Sequence, residues 1–179
     1  MHRRIQERLA QAGLAAQERS QILDTHAAVL LHRFDVLEKE DHFELLHPSR
    51  TLLILLDDCG VVDADVLSAA ASIESEHVAL RVAPANEIAR AVPLPDAGDE
   101  LLERLVVAGP EIRLIALAER LDHARHLHLR AAAAWPAFHD AMCAIYAPVA
   151  RRTHPRLEER FDHWCDMFGR RFLGAAGSI

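Results

Sequence analysis

The sequence predicts an all-α fold, a single-domain helical bundle. Hydrophobic residues make up 51% of the chain, led by the helix formers Ala and Leu. Aromatics are only 5%, and clusters of β-branched residues, the usual mark of strands, are few. Apolar positions recur at helical spacing along most of the 179 residues. A chain of this length makes one domain with a sizeable core. It has no internal repeat and no linker long enough to divide it.

Taken in order, the first helix runs from Met1 to Ala12, with Ile5, Leu9 and Ala12 on one side and Gly13 ending it. A longer helix follows over Ala16 to Glu38, marked by Ile22, Leu23, Ala27, Leu30, Leu31, Phe34 and Leu37. The charged run Glu38 to Asp41 reads as a solvated loop. Pro48 suits the first turn of a helix reaching Cys59, apolar through Leu52, Leu53, Leu55 and Leu56 and capped by Gly60. Asp63 is the N-cap of a helix reaching about Val78. Pro84, Pro93 and Pro95 break the next segment around a short helix, Asn86 to Val92. Asp96 or Asp99 caps a helix over Glu100 to Ala108. Gly109-Pro110 then opens the central helix, Glu111 to Leu127. Trp135-Pro136 breaks the chain, and two last helices span Phe138 to Arg152 and Pro155 to Phe172. The tail from Gly174 is expected to fray.

Net charge is −7, from 27 acids and 20 bases. That excludes a general nucleic-acid binder, which needs a basic surface. The longest apolar run, near residue 55, is too short to span a bilayer. Cys59, Cys143 and Cys165 have no CxxC spacing. With no secretory apolar region in MHRRIQERLAQAG, they read as free thiols, which points to the cytoplasm. There is no glycine-rich phosphate loop, no GxSxG, no HExxH and no zinc-finger spacing.

Two apolar stretches carry acids where acids are costly. In Leu67 to Val78, Ala69, Ala70, Ala71 and Ile73 are followed by Glu74 and His77. In Glu111 to Leu127, Glu119 interrupts Ile112, Ile115, Leu117, Leu121 and Ala124. A buried acid must be paired, protonated or bound to a cation, so a polar site between these helices is expected.

Four stretches then carry a resemblance. The first is His32 followed by Phe43-Glu-Leu-Leu-His-Pro48. The second is Gly60 to Glu74. The third is Glu103 to Leu127, containing Leu-Ala-Glu119-Arg-Leu. The fourth joins Tyr146-Ala-Pro-Val-Ala-Arg-Arg152, Leu157-Glu158 and Phe168 to Leu173. In this order they resemble the HD-type hydrolase domain of the RelA/SpoT family, whose members handle the alarmone (p)ppGpp. The resemblance covers roughly Ile22 to Leu173. It implies an HD-type helical fold and a manganese ion held by the histidine of the HP motif, the HD dyad and an acid in the third stretch.

The departures from that pattern matter more. His47 keeps the HP histidine. The dyad reads Ile73-Glu74, so its histidine is lost and its aspartate lengthened; the third acid is Glu119, lengthened again. The family's catalytic acidic pair falls on His77 and Val78, and its basic pair on Leu37 and Glu38. Two states of the site follow. One is a rewired centre for Mn2+ or another divalent ion, with His47, Glu74, His77, Glu119 and His123 as ligands. There Glu74 and His77 serve the chemistry and Arg120 neutralises phosphate. The other is a metal-free polar remnant in which Glu74 and Glu119 pair with Arg120, Arg113 or a histidine.

The leading expectation is a degenerate domain of this type, weak or inactive towards (p)ppGpp, that binds a phosphorylated nucleotide or another small molecule, or a protein partner. The alternatives are an active metal-dependent phosphohydrolase and a helical interaction protein that binds a protein partner or forms a homo-oligomer. Such a protein would use Met142, Tyr146, Trp164, Met167 and Phe168 as its docking face, residues whose simpler role is to fill the core.

Overall fold

The computed structural model describes residues 1–37, 39–73, 83–93, 95 and 100–174; for 39–42, 83 and 84 it describes the backbone alone. Every regular element among the described residues is helical. Helix α1 is His2–Gln11 and α2 is Ala16–Val36. A 3₁₀ stretch, Lys39–Leu46, leads into α3, His47–Leu53. Then come α4 (Ala64–Ser72), α5 (Ala83–Ala91), α6 (Leu101–Val107) and α7 (Pro110–His126). Last are α8 (Trp135–Ala141), α9 (Ala147–Arg151) and α10 (Pro155–Phe168).

The molecule is built around α7. Ten consecutive residues, Ile115 to Ala124, are buried, so this helix is enclosed on all sides rather than presenting one face to a core. It contacts α3, α4, α5, α9 and α10. One hydrophobic cluster runs through the bundle, from Ile5 and Leu9 in α1 through Leu52, Leu67 and Leu117 to Phe161 in α10. No helix among the described residues is long and apolar enough to cross a membrane.

The predicted punctuation is largely in place. Gly13 and Gly60 both adopt positive φ, +78° and +65°, which glycine accepts without a Cβ clash. The Asp63 side chain accepts from the amides of Asp65 and Val66, as an N-cap does.

Four expectations are corrected. Helix α2 ends at Val36, two residues short of Glu38. The stretch expected as a solvated loop is largely the 3₁₀ turn Lys39–Leu46, held by Arg33 and Arg50 donating to the carbonyls of Glu44 and Phe43. The helix expected to reach Val78 ends at Ser72, where Ile73 turns extended (ψ 141°) and the Ser72 hydroxyl bonds the Ala69 carbonyl. Trp135-Pro136 starts α8 instead of separating elements, because proline fits a first helical turn. From there the chain stays helical to Arg151, through a π-helical turn, Met142–Tyr146, just before Pro148. Pro148 donates no backbone hydrogen bond, and a wider turn absorbs that loss. A second π turn, Ile54–Asp58, extends α3. The caps Asp96 and Asp99, and residues 175–179, lie outside the described residues.

His26 is fully buried in α2, with Nε2 2.8 Å from the Ser49 hydroxyl. Burial, with the charge of His2 and of the amino terminus, lowers its pKa to about 4. The unfolded chain therefore takes up this proton near pH 6.5, while the folded chain does so only near 4. Stability falls as pH drops through that window, by about 3 kcal/mol for this group. Denaturant unfolding between pH 7 and pH 4 should show a shallower acid loss in His26→Gln than in the parent chain; parallel curves would remove His26 as a cause.

Candidate functional site

The polar centre lies where α3 and the preceding 3₁₀ turn meet α7. Glu44, in the 3₁₀ turn, and His47, the first residue of α3, are one helical turn apart, so they point the same way. Glu119, Asp122 and His123 share the facing side of α7. All five are buried, His47 completely.

Two carboxylates of α7 each hold one imidazole. Asp122 accepts from His47 Nδ1 at 2.7 Å. Glu119 lies 2.9 Å from His123 Nε2. The two rings stack, with centroids 4.2 Å apart. With Nδ1–H committed to Asp122, the neutral His47 ring carries its lone pair on Nε2, and that atom has no protein partner. The second oxygen of Glu44, Oε2, is equally unpartnered. Glu44 Oε1 lies 3.5 Å from His123 Nδ1. Donor atoms of Glu44, His47 and His123 thus all fall within 4.8 Å of one another. Carboxylates that grip the far nitrogen of a histidine are the usual second layer of a metal site, because they fix the tautomer and aim the free nitrogen.

Cations surround these acids. Arg50 donates to both oxygens of Asp122, at 2.8 and 3.0 Å. Arg130 pairs with Glu44 and sits 3.2 Å from His123 Nδ1. Arg120 meets Glu119 at 3.3 Å and lies over the rings of Tyr146 and Phe138, 5.5 and 5.6 Å from their centroids. Burial opposes ionisation of Glu44, but His123 and Arg130 outweigh it and hold its pKa down at about 2. Burial opposes ionisation of Asp122 too, and His47 and Arg50 again more than offset it, so its pKa is lowered. Both are carboxylates at neutral pH.

Of the residues singled out in the sequence, His47, Glu119 and His123 come together here. Arg120 meets the same oxygen of Glu119 as His123 does and lies over Phe138 of α8. Glu74 and His77 lie outside the described residues. Ile73, which precedes Glu74, is buried in the hydrophobic cluster and offers no ligand. Arg113 bonds Thr153 and the Ala108 carbonyl, away from the centre.

Sequence reading missed Glu44, Asp122, Arg50 and Arg130. Two of them had a signal. Glu44 is one turn before His47 and Asp122 one turn after Glu119, the same-face spacing that drew attention to His77 and His123. No family model, no curated protein and no solved structure matches this chain.

Asp122 neutralises Arg50 and holds His47, so removing its charge strands both in the interior. Asp122→Ala should cost about 3–5 kcal/mol in denaturant unfolding. A loss below about 1 kcal/mol, the range of an exposed pair, would contradict the geometry.

Proposed function

We propose that this chain is a degenerate HD-type domain of the RelA/SpoT hydrolase pattern. It keeps a divalent-ion site on a rebuilt ligand set, binds a phosphorylated nucleotide there, and hydrolyses it weakly or not at all. The observation that carries the reading is the buried Nε2 of His47, aimed by Asp122 and left without a protein partner beside Glu44 and His123.

Glu44, His47 and His123 would hold the ion. Two imidazoles and one carboxylate suit zinc, iron or manganese. Such an ion offers Lewis acidity towards a phosphate ester and activates water. This chain's own residues supply the rest: Asp122 and Glu119 orient the imidazoles, and Arg130 offers positive charge at the rim. Weak turnover follows from Ile73, which removes the dyad's nitrogen. The same pattern supports a cytoplasmic protein with Mn2+ as one candidate ion.

A second reading rests on a specific observation. Arg130 on Glu44 and Arg120 on Glu119 already neutralise the acids an ion would need. In that reading the centre is a metal-free remnant and the chain is a binding module only.

Calorimetric titration with Mn2+ and Zn2+, followed by an assay of (p)ppGpp turnover, separates the two. The metal reading predicts one ion per chain, lost in His47→Ala and in Glu44→Gln. It also predicts tighter binding, by about tenfold, when Arg130→Gln removes the competing cation. No binding at millimolar ion would leave the metal-free reading.

A further inference from the structure

A second concentration of chemistry borders the His47 centre, along the seam between the C-terminal half of α7 and α10. Two hollows occur there, of about 520 and 410 Å³, and Arg125 lines both. The first is walled by arginines: Arg4, Arg50, Arg125 and Arg160. The second is walled by Trp164, Phe168 and Phe172, with Arg171 at its edge. Along α10 the residues Arg160, Trp164 and Phe168 follow at helical spacing, so one face runs from charge to aromatic rings; Arg171 and Phe172 follow in the π turn Gly169–Leu173.

The first hollow has more cations than acids. Asp58 is shared by Arg125 at 3.3 Å and Arg160 at 3.1 Å. Asp57 is shared by Arg4 and Arg8. Asp122 is already held by Arg50 and His47. Four arginines thus line it against three acids, in a chain whose net charge is −7. Arg125 and Arg160 are well exposed, and exposed pairs of this kind are weak, so an incoming anion displaces them at little cost.

The second hollow gathers the rings. The chain has two Trp, one Tyr and six Phe, and both Trp and three Phe meet here. Trp164 and Phe168 stack at 4.8 Å with planes 20° apart, and Phe172 continues the row at 4.8 Å. Trp135 packs edge-on against Phe168 and Phe172, and Phe138 against Trp164. The Trp164 indole donates to the Ala124 carbonyl at 2.9 Å, which fixes its plane. Phe168 is buried, but Trp164 and Phe172 keep part of their surface open.

We propose that this seam is a nucleotide site, with a planar base against the Trp164–Phe172 wall and its phosphates on Arg125 and Arg160. The combination decides the class. Phosphate alone accounts for the arginines but not for the rings, and an apolar ligand accounts for the rings but not for the arginines. Aromatic faces stack on any base, and guanidinium groups match phosphate oxygens in pairs. The first hollow shares Arg50 and Asp122 with the His47 centre, but the contacts proposed here, Arg125, Arg160 and the rings, lie outside the ligand set Glu44, His47 and His123, so the proposal stands whether or not that centre holds an ion.

Both tryptophans lie in the ring cluster, so intrinsic fluorescence reads this seam directly. Titration of the full chain with ADP, GDP and UDP, backed by calorimetry, should give saturable quenching with at least one of them. Arg125→Glu and, separately, Arg160→Glu should weaken it by at least about tenfold, with helix content unchanged by circular dichroism. High salt should weaken it, and inorganic phosphate alone should compete poorly. Absence of saturable quenching and of heat with all three at millimolar concentration would overturn the proposal. So would binding that is lost in Glu44→Gln but kept in Arg125→Glu, which would put the nucleotide at the metal centre instead.

Discussion

The buried carboxylate of Asp122 holds the polar centre together. It accepts from His47 and Arg50, both on α3, and its own backbone carbonyl accepts from His126 Nδ1 at 2.8 Å. Three charges or potential charges are thereby placed inside a bundle that would otherwise exclude them. Each tolerates burial only because the others are there. The same contacts fix α3 against α7, the helix most enclosed by the rest of the protein. Orientation of His47 follows from this packing constraint, and the free nitrogen of His47 is its consequence.

That arrangement sets acids and cations in competition at one place. Glu44 and Glu119 are each held by an arginine, yet Glu44 and His47 keep one donor atom apiece without a partner. Unpartnered buried donors are costly. Their cost is recovered if a ligand completes them, and one ligand atom each from Glu44, His47 and His123 lies within 4.8 Å of the others. Arg130 is the part of the centre that reaches solvent, so a ligand's approach passes by it. The seam at Arg125 is organised differently. There the acids are outnumbered, the cations are exposed, and the rings are stacked and fixed, which suits a ligand that arrives and leaves as a whole.

Much of the fold was legible because it rests on local rules. Helical spacing, Gly13, Gly60 and the Asp63 cap gave the elements and several of their ends. The errors share a cause: they arise where tertiary contacts overrule local preference. Glu38 to Asp41 is charged enough to read as a loop, but most of it belongs to the 3₁₀ turn Lys39–Leu46, whose Phe43 and Glu44 carbonyls accept from Arg50 and Arg33. Helix α4 does contact α7, and among the described residues the 3₁₀ turn and α3 supply the polar side chains that face it; Glu74 and His77, the polar residues expected from the stretch Leu67 to Val78, lie outside the described residues. His47, Glu119 and His123 could be found from the resemblance and from one-turn spacing. Glu44 and Asp122 carried the same one-turn signal, but it was not followed: the segment of Glu44 was given no helical reading, and Asp122 looks like part of a solvated face until the packing around it is known. Arg50 and Arg130 carried no such signal.

The most direct test of the central claim is anomalous diffraction from crystals soaked with manganese or zinc. The account predicts one peak within bonding distance of Glu44, His47 Nε2 and His123, with the bond from Asp122 to His47 intact. Soaked crystals with no peak at that position, or with Arg130 still closed on Glu44 and the ion bound elsewhere, would contradict it.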